Sequence, residues 1–130
     1  MTEVVDYSYS HPSPQSIKDA GFAGVVRYLG WDFGNGPRCI SPSERDGLLG
    51  VGLDIALVWE TTANMTLRGA AGGSVDGAEA NRQADVLGFP VDSPIYVAVD
   101  FDVSDAQLAV VDAYRTAFGA VGRPCLVYGK

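Results

Sequence analysis

Five short runs of β-forming residues recur along the chain, one per roughly 30 residues, the repeat of a βα unit. They are Val4–Tyr7, Gly24–Leu29, Asp54–Trp59, Ile95–Phe101 and Cys125–Tyr128, rich in Val, Ile, Leu and Tyr and bounded by Gly, Pro, Asp or Ser. Several are almost continuously apolar, as strands covered on both faces must be. Every gap holds a helix signal. Ser13-Pro14 reads as an N-cap with proline at the first helical position, and Gly21 ends that helix. Ser41-Pro42-Ser43-Glu44 reads as a capping box, in which the Glu44 carboxylate reaches back to the Ser41 amide. A third helix is predicted from about Val75 to Leu87, stopped by Gly88. Ser104-Asp105-Ala106-Gln107 opens a fourth, running to about Ala120 with Leu108, Val111, Tyr114 and Phe118 on its apolar face. The resulting β-α-β-α-β-α-β-α-β order predicts a parallel sheet with right-handed crossovers.

At 130 residues the chain is expected to be one domain, residues 1–130. An apolar share of 47% against 19% charged residues suits a packed core and excludes disorder. Two α/β architectures accommodate five parallel strands. A flavodoxin-like doubly wound sheet is complete at this length but normally ends on a helix. The N-terminal part of a TIM-type (β/α)8 barrel, which needs about 250 residues when whole, fits a chain that stops directly after its fifth strand at Tyr128-Gly129-Lys130. Two longer loops, Trp31–Arg38 and Thr61–Gly73, follow strands. The second ends in Gly69-Ala70-Ala71-Gly72-Gly73, readable as a substrate lid or as plain surface.

The net charge of -7, with no Lys/Arg cluster, argues against nucleic acid and anionic membrane as partners. No apolar run reaches the roughly 18 residues of a membrane span, and MTEVVDYSYS has neither the basic nor the apolar part of a signal peptide. Cys39 and Cys125 form no CxxC and no zinc spacing. They are expected as two small buried thiols, with a disulfide between them as the alternative. The sole histidine, His11, lies in a loop, which disfavours a Ser-His-Asp triad.

The residues that suggest chemistry are acids at C-terminal strand ends: Asp6 on the first, Glu60 on the third, Asp100 and Asp102 on the fourth. Arg27 and Tyr128 lie near the ends of the second and fifth. Active sites of parallel α/β folds form at that edge. On an extended strand, residues two apart face the same way, which places Asp100 and Asp102 roughly 6–7 Å apart. Two such carboxylates titrate together, one staying protonated longer. That division suits glycoside hydrolysis, with an acid for the leaving oxygen and a carboxylate for the sugar cation. Other readings stay open at this point. The aspartates could cap turns, bind a divalent metal with Asp6, or form a receiver-like phospho-acceptor pocket with Lys130. Tyr7 and Trp31 are the aromatics best placed to stack on a sugar ring.

Val5-Asp6-Tyr7-Ser8, Gly24-Val25-Val26-Arg27-Tyr28-Leu29, Ile55-Ala56-Leu57-Val58-Trp59-Glu60, Ile95-Tyr96-Val97-Ala98-Val99-Asp100-Phe101-Asp102 and Leu126-Val127-Tyr128-Gly129 come in the order seen in a glycoside-hydrolase-like family. The chain resembles that family, known as domain of unknown function 1906, over essentially its whole length. The family's barrel is similar to that of the family 25 muramidases (lysozymes). The resemblance implies the N-terminal part of a (β/α)8 barrel, without the later strands. It implies an extracellular or virion-associated protein acting on or binding bacterial cell-wall peptidoglycan, with actinobacterial secreted proteins and phage lysins or tail proteins as relatives. It places Asp6, Glu60, Asp100 and Asp102, the catalytic candidates, in the pocket at the barrel mouth; from their positions at or past strand ends, Arg27, Tyr7, Trp31 and Tyr128 are the substrate-binding candidates, and no metal or cofactor is expected. Muramidases carry Asp-x-Glu at the fourth strand with the Glu as general acid. Here the pattern is Asp-x-Asp, and Asp102, one methylene shorter, takes the acid's place. That departure favours, as the alternative, a non-catalytic carbohydrate-binding or virion structural module. An incomplete barrel exposes strand edges, so self-association or a larger assembly is expected.

Overall fold

The structure, a computed structural model, describes residues 3–129. Lys130, invoked for a phospho-acceptor pocket, lies outside the described residues. The strands are β1 (Val4–Asp6), β2 (Gly24–Leu29), β3 (Asp54–Trp59), β4 (Ile95–Val99) and β5 (Cys125–Gly129). Between them run the helices α1 (Pro14–Asp19), α2 (Pro42–Gly50), α3 (Gly69–Val86) and α4 (Asp105–Ala120), with a 3-10 turn at Met65–Arg68 before α3. The five strands are parallel and form one open sheet in chain order, β1-β2-β3-β4-β5, the partial-barrel α/β fold. A flavodoxin-like order, 2-1-3-4-5, is not what the sheet adopts. The chain resolves into two compact units that divide within β3, between Leu57 and Val58.

In the first unit β1 lies in register with β2, Val4 opposite Gly24 and Asp6 opposite Val26. Gly24 is glycine for lack of room, since a Cβ there would sit 2.7 Å from the Asp54 carbonyl oxygen. Both helix starts form as the caps require: Ser13 Oγ accepts from the Ser16 amide and Ser41 Oγ from the Glu44 amide, each at 3.2 Å. Ile17 of α1 and Leu48 of α2 are buried with Val25, Leu29 and Ile40. Burying such side chains stabilises by about 1.5–3 kcal/mol each.

In the second unit Ile95 lies opposite Cys125 and Val99 opposite Gly129. Here β4 is shorter than the sequence suggests. Past Val99 the Asp100 amide turns out of the ladder and donates to the Ala63 carbonyl at 3.3 Å. Asp100 and Asp102 therefore lie in the loop after β4, and the same-face spacing of an extended strand does not apply to them. The helix expected from Val75 starts six residues earlier. Gly69-Ala70-Ala71-Gly72-Gly73 is its first turn and a half rather than a lid. A Cβ at Gly73 would lie 2.2 Å from the Tyr114 carbonyl oxygen, and one at Gly77 2.6 Å from that of Phe118. Glycines one turn apart thus let α3 and α4 meet backbone to backbone. Buried Arg123 secures the far end. It donates to the carbonyls of Pro90 (2.9 Å) and Phe89 (2.6 Å) and pairs with Asp85 at 2.8 Å.

Candidate functional site

Of the candidate acids, Asp6 ends a strand and Glu60, Asp100 and Asp102 lie in the loops just past strands. In the first unit, Asp6 closes β1 with an exposed carboxylate. The Tyr28 hydroxyl lies 2.7 and 2.9 Å from its two oxygens. The Tyr28 ring in turn carries the Arg38 guanidinium at 5.9 Å. Arg38 grips Asp32 through two bonds of 3.0 and 2.6 Å, which lowers the Asp32 carboxyl below the usual carboxylate range. Tyr9 and Trp31 are exposed beside these loops, at 68% and 54%.

Arg27 and Tyr7 are placed differently from the sequence expectation. Arg27 is fully buried within β2, and all five of its N–H donors are matched inside the protein. It grips Glu44 at 2.7 and 3.0 Å, the Tyr7 carbonyl at 2.7 Å, the Arg38 carbonyl at 3.0 Å and the Pro37 carbonyl at 3.1 Å. The Tyr7 hydroxyl donates to the same Glu44 at 2.7 Å, and burial together with that carboxylate holds its proton well above the ordinary phenol range. Arg27 thereby fastens the loop after β1 to the Trp31–Arg38 loop, so its donors are engaged by the fold rather than offered to a ligand. Glu44, the other half of this pair, was read from sequence only as half of a capping box. Its carboxylate turns to Arg27 instead of back to the Ser41 amide. The signal was Arg27 itself, a cation inside an apolar strand run, which demands a buried carboxylate nearby. A cleft of about 410 Å³ opens beside them, lined by Tyr7, His11, Ser13, Ser41, Ser43 and Glu44 among others. Cys39 donates to Asp32 at 3.3 Å, and burial pushes its thiol up to about 12. Both cysteines are free thiols, and no disulfide joins them.

In the second unit, half-buried Glu60 follows β3 directly, and Asp100 and Asp102 are exposed after β4. The bond from the Asp100 amide to the Ala63 carbonyl joins these two acid-bearing loops. Tyr128 is half-buried on β5, its ring edge-on to Tyr96 with centroids 6.5 Å apart. Among the described residues, no group of three or more His, Cys, Asp or Glu side chains is arranged to hold a metal ion. None of the described helices is long and apolar enough to cross a membrane.

Neither Asp100 nor Asp102 is in an ion pair among the described residues. The Tat-secreted protein Rv2525c of Mycobacterium tuberculosis, solved with L-tartrate, superposes with a TM-score of 0.80 at 23% identity over 92% of this chain. An uncharacterised B. stearothermophilus protein gives 0.72 at 21% over 96% of the chain. The modular autolysin LytC of Streptococcus pneumoniae, solved with a synthetic peptidoglycan ligand, gives 0.59 at 13% over 97%. The chain spans 65%, 59% and 32% of those three chains, respectively. No curated protein matches it. The model of the Rv2525c-like, glycoside hydrolase-like domain matches residues 15–123. This chain therefore belongs to the Rv2525c-like family of glycoside hydrolase-like domains.

Proposed function

We propose that this domain acts on, or binds, the glycan of bacterial cell-wall peptidoglycan outside the cell membrane. In the second unit Asp102 serves as general acid, Asp100 as the carboxylate facing the sugar cation and Glu60 as a further anionic partner, with ring surface from Tyr128. In the first unit Asp6 is the anionic candidate and Trp31 the ring surface, and Tyr7 and Arg27 act by holding the loops that carry it. The observation that carries this reading is the pair of acid-bearing loops after β3 and β4, joined by the Asp100 amide in a domain of glycoside hydrolase-like family. The secreted and autolytic neighbours support the location and the substrate class. Turbidity of purified cell walls tests it. The wild type is expected to clear the suspension and Asp102→Asn to lose at least roughly a hundredfold in rate, the usual worth of a general acid. Walls left intact by the wild type would overturn catalysis.

A second reading, a wall-binding or virion module without turnover, is favoured by one feature. The acid position holds the shorter Asp102, on an exposed loop, and proton delivery suffers from displacements of about 1 Å. Retention on insoluble peptidoglycan without release of soluble fragments would single it out. In either case β5 ends the sheet with Leu126 and Val127 45% and 49% exposed. This edge is suited to a second copy or to a larger assembly.

A further inference from the structure

Asp76 has no solvent exposure, and its Oδ1 meets no hydrogen-bond donor among the described residues. Its Oδ2 accepts from Arg68 Nη1 at 2.7 Å and from the Tyr114 hydroxyl. A half-satisfied buried carboxylate is costly, and an apolar residue packs such a place better. Its two partners show what it holds. Arg68 ends the 3-10 turn and Tyr114 lies in mid-α4. The Trp59 side chain, at the last residue of β3, neighbours the Tyr114 hydroxyl and is the weakest of the influences on it. Trp59 is followed directly by Glu60. One carboxylate thus clamps the Arg68 end of the segment that runs from Trp59 to Arg68 directly, and meets its Trp59 end only by way of Tyr114. The middle of that segment supplies the Ala63 carbonyl that receives the Asp100 amide.

We propose that Asp76 is a positioning residue for the acidic loops: acting through Tyr114 and Arg68, it fixes the segment after β3 and so sets where Glu60 and Asp100 stand. Its functional meaning rests on the glycan reading above. The charge of Arg68, which is half-exposed, offsets that of Asp76, while the Tyr114 hydroxyl supplies the direction. Removing that hydroxyl leaves the packing of the ring intact and frees the Trp59 end of the clamp.

Tyr114→Phe and Asp76→Asn, made in the full chain, test this with two readouts. The first is amide hydrogen exchange. Asp100 is expected to exchange at least roughly tenfold faster in both variants, with the Val97 amide unchanged. The second is turnover of soluble peptidoglycan fragments. Tyr114→Phe is expected to lower kcat roughly tenfold or more with KM within about twofold, because the acids shift while the sugar-stacking surface stays. The double variant is expected to fall no lower than the worse single one. For a domain that binds without turnover, wall affinity replaces kcat. Unchanged Asp100 exchange in Tyr114→Phe overturns the proposal, as does faster exchange with unaltered kcat and wall affinity. A wild type that neither cleaves nor binds walls would sink the glycan reading alone, and Asp100 exchange would still decide whether Asp76 fixes the segment.

Discussion

Arg27 is the one buried charged residue of the first unit among the described residues. Its guanidinium is fully buried, and Glu44 supplies the only carboxylate within its bonding reach among the described residues. Glu44→Gln would leave that cation uncompensated. The expected loss is about 3–5 kcal/mol of unfolding free energy, read from urea melts at constant slope. A much smaller loss would mean that the carbonyls of Tyr7, Pro37 and Arg38 alone suffice. The thiols give a second residue-level expectation. Burial pushes both Cys39 and Cys125 up to about 12. The folded chain therefore holds these two protons more tightly than the unfolded chain, whose thiols titrate near 8.5. Their contribution to stability is complete below that unfolded value and is lost as pH climbs toward 12. Thermal melts are expected to fall across that alkaline window, and a Cys39→Ala, Cys125→Ala variant to fall less. At pH 8 a thiol reagent is expected to react at least roughly a hundredfold faster with the denatured than with the native chain.

Among the elements, α3 shows how a local reading misses a tertiary cause. Gly69 to Gly73 looks like a breaker by propensity, since glycine costs a helix interior about 1 kcal/mol relative to alanine. The helix forms nonetheless, because Gly73 and Gly77 sit where the α4 backbone passes. Gly73→Ala is therefore expected to destabilise, by about 1–3 kcal/mol of overpacking, where propensity alone predicts a gain. Ser74→Ala, on the exposed side, serves as the control that leaves stability within about 0.5 kcal/mol. The remaining elements were legible because their signals are local. Ser13-Pro14, Ser41-Pro42 and Ser104 with Gln107 fix three helix starts within a residue, and Gly24–Leu29 and Asp54–Trp59 are strands to the residue. The end of β4 was not legible. It depends on the Ala63 carbonyl, whose approach no run of residues around Asp100 announces.

For the whole molecule, alternation of strands and helices led to a parallel sheet, and the spatial order β1-β2-β3-β4-β5 selects the partial barrel over the doubly wound alternative. The positions of Asp6 at the end of β1 and of Glu60 directly after β3 were legible in the sequence, whereas the buried ion pairs and hydrogen bonds of Glu44 and Asp76 were not. Glu44 and Asp76 sit inside helices, far in sequence from Arg27 and Tyr114, and only the fold discloses those pairings. The exposed β5 edge carries an expectation at this scale. Light scattering should report a dimer or larger species for the isolated chain, and Leu126→Lys with Val127→Lys should return it to monomer. A stable dilute monomer from the wild type would remove self-association from the account. The central claim is engagement of wall glycan through the acid-bearing loops, and co-sedimentation with purified peptidoglycan tests it most directly. The wild type is expected to pellet saturably, with affinity at least roughly tenfold weaker, about 1.4 kcal/mol, once Asp100→Asn and Glu60→Gln are combined. A wild type that stays in the supernatant at every wall concentration, or a double variant that pellets as well as the wild type, would contradict it.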